Sequence, residues 1–146
     1  MGRWNGLFVA LVLVACKQDT NVYALTPEIA VAPEAIDFGE QAVPVDTTQS
    51  LYITNGGRAR LDVTLSFSDD TPDAFSVDVA TAEIPPDDTW LVPIHFLPET
   101  YLLYDGVLVI DSNDEDTPRV EVALHGEGVS APFPDIDVDP PTLDFG

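Results

Sequence analysis

Between Ile29 and Leu124 apolar residues recur at alternate positions, and a helical spacing of three to four residues never persists. On an extended strand successive side chains face opposite ways, so this period predicts strands with one buried face. In RLDVTLSF, Leu61, Val63, Leu65 and Phe67 face a core while Arg60, Asp62, Thr64 and Ser66 face water. SLYITN places Leu51 and Ile53 on one face, AFSVDV places Phe75, Val77 and Val79, and TWLVPIHF places Trp90, Val92, Ile94 and Phe96. RVEVALHGEG adds Val120, Val122 and Leu124, and GVLVIDS supplies another apolar run. Near the start, Ile29 and Val31 share a parity that Ile36 and Phe38 abandon after Pro33, which predicts a first strand that kinks or changes sheets. Pro93 cannot donate a ladder hydrogen bond, so its strand is expected at an edge or with a bulge. Asn55-Gly56-Gly57 predicts a turn using positive φ. Seven to eight strands in about a hundred residues predict an all-β, two-sheet sandwich, each sheet covering the other's apolar face.

The first residues follow another rule. Arg3 precedes an unbroken apolar run from Leu7 to Cys16, which gives way at once to Lys17, Gln18, Asp19 and Thr20. Ten helical residues rise about 15 Å, half of a hydrocarbon core of roughly 30 Å, so the run predicts an export signal rather than a permanent span. Leu13-Val14-Ala15-Cys16 resembles the lipobox of bacterial lipoproteins. That resemblance implies cleavage before Cys16 and acylation of its thiol, each buried methylene adding roughly 0.8 kcal/mol of membrane affinity. Membrane lipid, reached through acylated Cys16, is then one partner. Lys17 after the cysteine points to the outer rather than the inner membrane of a bacterial cell envelope. The expected organisation is a signal peptide over 1–15, a lipidated tether over 16–26 and a sandwich domain over 27–130.

The closing residues repeat an earlier phrase. PEIAVAPEAIDFG (27–39) and PDIDVDPPTLDFG (134–146) lie 107 residues apart and are identical at seven of thirteen positions. That interval is one sandwich domain, so 131–146 is expected to be a linker and the first strand of a second, truncated repeat.

Composition narrows the partners. The 26 carboxylates outnumber five Lys and Arg, for a formal charge of −21 with no basic patch. Nucleic acid is thereby excluded as an expected partner, because phosphate binding requires clustered cations. The single cysteine is assigned to lipid, so packing and sheet hydrogen bonds alone must stabilise the domain.

In chain order, IAVAPEAIDFG, LYITNGG, IPPDDTWLVPIHFLP, LVIDSNDED and VEVALHGEG resemble the Hydin-type Ig-like domains, a group that includes bacterial choice-of-anchor D repeats and is related to the ASH and major-sperm-protein sandwiches. The resemblance covers residues 28–128. It implies a repeated, non-enzymatic Ig-like sandwich used as scaffold or interaction surface, with an unidentified protein partner. Relatives often carry Pro-Gly where this chain has Pro85-Pro86-Asp87-Asp88.

Some residues could carry chemistry. Asp111, Asn113, Asp114 and Asp116 in DSNDEDTP are hard oxygen ligands suited to calcium, though the glycine and distal glutamate of an EF-hand loop are missing. Their alternative role is to bond neighbouring amides in a turn. A second acidic turn at Asp69, Asp70 and Asp73 could join them if the loops cluster. His95 and His125 fall on outward parities without Cys or His partners, and solvated side chains are expected there. No G-x-S-x-G elbow occurs, and Gly126-Glu127-Gly128 lacks the rest of a dinucleotide fingerprint. Trp90, Phe67, Phe75 and Phe96 read as core, and Tyr101 and Tyr104 as half-buried packing with an exposed contact surface as the alternative. The expectation is a non-catalytic envelope lipoprotein without cofactor, acting as spacer or interaction module. A calcium- or carbohydrate-binding adhesin is its first alternative, and the non-catalytic part of a longer enzyme its second.

Overall fold

A computed structural model of the protein describes residues 24–132, so Cys16, the signal segment and the second copy of the repeated phrase lie outside the described residues. Nine strands follow in order: β1 (Ile29–Ala32), β2 (Ala35–Ala42), β3 (Thr47–Asn55), β4 (Leu61–Phe67), β5 (Phe75–Val77), β6 (Thr81–Ile84), β7 (Thr89–Phe96), β8 (Leu103–Ser112) and β9 (Arg119–Val129). They form a four-stranded sheet, β1-β3-β7-β5, and a five-stranded sheet, β2-β9-β8-β4-β6. The all-β Ig-like sandwich is as expected. Among the described residues no helix is long and apolar enough to cross a membrane.

The alternation places the core. Leu51, Ile53, Val92, Ile94 and Phe96 on one sheet meet Leu61, Val63, Leu108, Ile110 and Val122 on the other, all at 3% exposure or less. Each such side chain contributes roughly 1.5–3 kcal/mol of burial. Phe67, Val77, Trp90 and Val120 pack more loosely around that cluster.

Two long edge segments change sheets partway. The parity break at Pro33 marks one: β1 pairs antiparallel with β3, and β2 then crosses to pair in parallel with β9. β2 also shifts register between Asp37 and Glu40, at Gly39 with φ +64°. The other is β5–β6, which leaves β7 to pair with β4. That second crossing was not legible as an alternation. It corrects the placement of Val79, which is 55% exposed because the chain there is already leaving the first sheet. It also explains Pro93. β7 is interior by strand order, yet β5 pairs only as far as Ile94, so Thr89–Pro93 has a neighbour on the β3 side alone.

These crossings leave the sandwich with distinct ends. The chain enters beside the β3–β4, β6–β7 and β8–β9 turns, since Gly56 N donates to Glu28 O and Ile29 N to Asp114. It leaves at the far end of β9, beside the β2–β3 and β7–β8 turns, where Val43 N donates to Val129 O and Gly128 N to Leu102 O. The eleven residues of β9 separate the two ends by about 36 Å.

Candidate functional site

At the entry end the acidic turn is folded inward. Asp114 is 5% exposed. Its Oδ2 accepts from Ile29 N at 2.9 Å, and its Oδ1 from Asp116 N at 3.0 Å and Thr117 N at 3.3 Å. The Ile29 amide leads in holding this carboxyl below the usual range, against the opposing effect of burial. Asn113 Oδ1 accepts from Asp62 N at 2.9 Å while its amide donates to Arg60 O at 3.1 Å. Asp111 is paired with Arg119 at 2.8 Å. The four calcium candidates are therefore divided between an inward carboxylate, a strand-bridging amide, an ion pair and the exposed Asp116. Among the described residues no group of three or more His, Cys, Asp and Glu side chains is placed to hold a metal ion. The Asp69–Asp73 turn leads away from β4 toward the exit end and does not join them.

Beside Asp114 sits a polar residue that the alternation did not single out. Asn55 is fully buried at the end of β3. Its Oδ1 accepts from Gly57 N at 3.0 Å and Glu28 N at 3.3 Å, and its Nδ2 donates to Ala59 O at 2.8 Å and Ile84 O at 2.9 Å. The turn at Asn55-Gly56-Gly57 is present, but its device is this side chain: the positive-φ residues among those described are Gly39 and Asp87. Gly57 serves by close approach instead, because a Cβ there would collide with the backbone of Thr26–Glu28.

Both histidines face outward, and each meets carboxylates across its sheet. His125 Nδ1 lies 2.7 Å from Asp105, and that hydrogen bond leads in raising its pKa. His95 Nδ1 lies 3.2 Å from both Thr48 Oγ1 and Asp46 Oδ2. One nitrogen cannot take a proton from the hydroxyl while Asp46 holds it, and Asp78 stands 3.5 Å from the other nitrogen. The Thr48–His95–Asp46 grouping therefore lacks the relay geometry that activates a nucleophile.

The exposed surface divides in three. An open groove of about 530 Å³ runs over β6, β4 and β8 between Asp62, Glu83 and Asp111. Arg60 closes on Asp62 at 2.8 Å and on Glu83 at 3.2 Å, so the groove's charges are largely paired within it. On the outer face of the four-stranded sheet Tyr52 and Leu91 are direct cross-strand partners, 45% and 50% exposed, next to the unpaired flank of Thr89–Pro93. At the exit end the β7–β8 turn displays Tyr101, Leu102 and Leu103 at 67%, 61% and 63% exposure. Tyr101 is thus exposed and not half-buried, whereas Tyr104 packs edge-on against Phe96 with centroids 5.4 Å apart. The Tyr104 hydroxyl accepts from Thr100 N at 3.0 Å and Glu99 N at 3.2 Å, which pins the turn.

Residues 27–127 match the HYDIN/CFA65/VesB-like, Ig-like domain family. No curated protein matches the chain. Among solved structures, the sandwich is similar to the ASH / PapD-like domain 7 of human CEP192, with TM-score 0.64 and 16% identity over 73% of this chain and 89% of that one. It is also similar to a protein of unknown function from Porphyromonas gingivalis W83, with TM-score 0.61 and 19% identity over 76% of this chain. The match to the VesB protease of Vibrio cholerae has TM-score 0.54 and 17% identity over 68% of this chain. The aligned parts are 51% of the Porphyromonas chain and 31% of VesB. At such identities the likeness is one of fold.

Proposed function

This chain belongs to the HYDIN/CFA65/VesB-like family of Ig-like domains, and from that premise we propose that it is a lipid-anchored spacer and protein-interaction module of a bacterial envelope. Cys16 carries the acyl chains, residues 16–26 form the tether, and the phrase at 134–146 opens a second domain of the same kind. The observation that carries the reading is the placement of entry and exit at opposite ends of the sandwich. A domain entered and left at one end adds little reach, whereas each domain of this kind carries the chain about 36 Å farther from its anchor.

The interaction role rests on surface rather than on chemistry. The half-open flank of β7 offers backbone groups to an added strand, and Tyr52 with Leu91 offers apolar contact beside it. Arg58, Arg60 and Arg119 are the Lys and Arg residues among those described, and two of them are already paired with carboxylates, which supports a protein rather than a nucleic-acid partner.

The test is mass spectrometry and fractionation of the protein made in a bacterial host. The expected product begins at an acylated Cys16 and sediments with membranes, and Cys16→Ser is released to the soluble fraction. A free thiol with residues 1–15 still attached sinks the anchor.

A further inference from the structure

Charge is divided unevenly between the two sheets. Strands β1, β3, β5 and β7, of four, nine, three and eight residues, contain no Asp, Glu, Lys or Arg. The chain's charged share of 21% would put about five such residues there. The other sheet carries eight carboxylates and Arg119 on its five strands. The uncharged sheet nevertheless turns its outer face to solvent, with Tyr52 and Leu91 half-exposed at its middle among Ala30, Ala32, Ser50 and Thr89. Carboxylates resume at its margins, Asp88 next to Thr89, and Asp46 and Asp78 against His95. A centre without charge, an aromatic anchor and a charged rim make the composition of a protein contact.

We propose that this face pairs with the same face of a second copy of the chain. The inference rests on the interaction role proposed above and names its partner. Three observations select that occupant. The first is charge. Two bodies of formal charge −21 repel wherever their carboxylates meet, and this face is where they do not. A basic partner would be drawn to the five-stranded sheet instead. Paired through their neutral faces, two sandwiches form four layers about 10 Å apart, with the acidic sheets outermost and roughly 30 Å from each other, several times the screening length of about 8 Å at physiological salt.

The second observation is self-complementarity. Tyr52 and Leu91 are cross-strand partners on β3 and β7, so a two-fold axis running along the strands between them lays each Tyr52 over the other copy's Leu91. The same axis keeps both entry ends on one side, as tethering of both chains to one membrane requires. The third is area. The face runs about 26 Å along β3 and β7 and narrows toward the short outer strands, so each copy offers on the order of 400 Å². A pair then buries about 800 Å², which suits a weak, reversible association rather than a permanent dimer.

The experiment is sedimentation equilibrium of the full chain carrying Cys16→Ser, which removes both acylation and disulfide pairing. Between about 10 µM and 1 mM the apparent mass is expected to climb toward twice that of one chain, and raising salt from about 20 to 500 mM to tighten the pairing about threefold. Tyr52→Asp and Leu91→Asp are each expected to weaken it at least about tenfold with the melting temperature kept, while Leu102→Asp at the exit turn leaves it unchanged. A chain that stays single at about 1 mM overturns the second copy and leaves the interaction role to another protein. Association that survives Tyr52→Asp, or that Leu102→Asp abolishes, removes the face itself and takes Tyr52 and Leu91 out of the interaction role as well.

Discussion

At the entry end a buried amide and an inward carboxylate hold the turns, and at the exit end rings do the same task. Asn55 and Asp114 make seven hydrogen bonds with backbone groups of four segments, at 28–29, 57–59, 84 and 116–117. Phe38, Phe75 and Phe96 form a triangle with centroids 5.0 to 5.9 Å apart, capped edge-on by Tyr104. The difference teaches where each end is vulnerable. A polar hub fails when its side chain is truncated, because the backbone groups that it served lose their partner together. An aromatic cluster fails when its shape is disturbed.

Four measurements put that contrast under strain. Asn55→Ala has the largest expected effect, about 4 kcal/mol in chemical denaturation, because two amide N–H groups and two carbonyls lose their partner together. A loss below about 1 kcal/mol would mean that water replaces the amide and that the hub is no hub. Gly128→Ala attacks the other end and is expected to cost about 3 kcal/mol, since the backbone at Thr100 cannot yield as a side-chain tip can. Asp114→Asn comes next at about 2 kcal/mol near neutral pH, and its signature is pH dependence. Because the folded carboxyl titrates below its unfolded value, its contribution is complete above the unfolded pKa and fades as pH falls through the folded one. Wild type and variant should therefore converge below about pH 4, and a gap constant down to pH 2 would remove the charge from the account. Tyr104→Phe has the smallest effect, about 1 kcal/mol, with faster exchange of the Glu99 and Thr100 amides as its specific sign.

The two ends also differ in how far the sequence disclosed them. Strand existence and core identity came from period two, and the sheet change at Pro33 came from a parity break, because both are properties of consecutive residues. The β5–β6 crossing left no such break, since Val77 and Val79 keep parity while the backbone between them turns away. Asn55 and Asp114 were visible as turn formers. Their long-range partners were not: Asp114 reaches Ile29, 85 residues away, and nothing local distinguishes that carboxylate from Glu115 or Asp116 beside it. Tyr101 and Tyr104 looked alike in PETYLLYDG, and only the Phe96 ring, brought in by another strand, decides which one packs.

The parallel pairing of β2 with β9 has a mechanical consequence. These strands are joined side by side from Ala35–Ala123 to Ala42–Val129, and the chain enters β1–β2 from one end of the sandwich and leaves β9 at the other. A pull applied between the entry and exit of the domain therefore runs along both strands in shear. Their ladder must rupture together instead of unzipping bond by bond, so the domain resists tension best along the line that joins its entry to its exit.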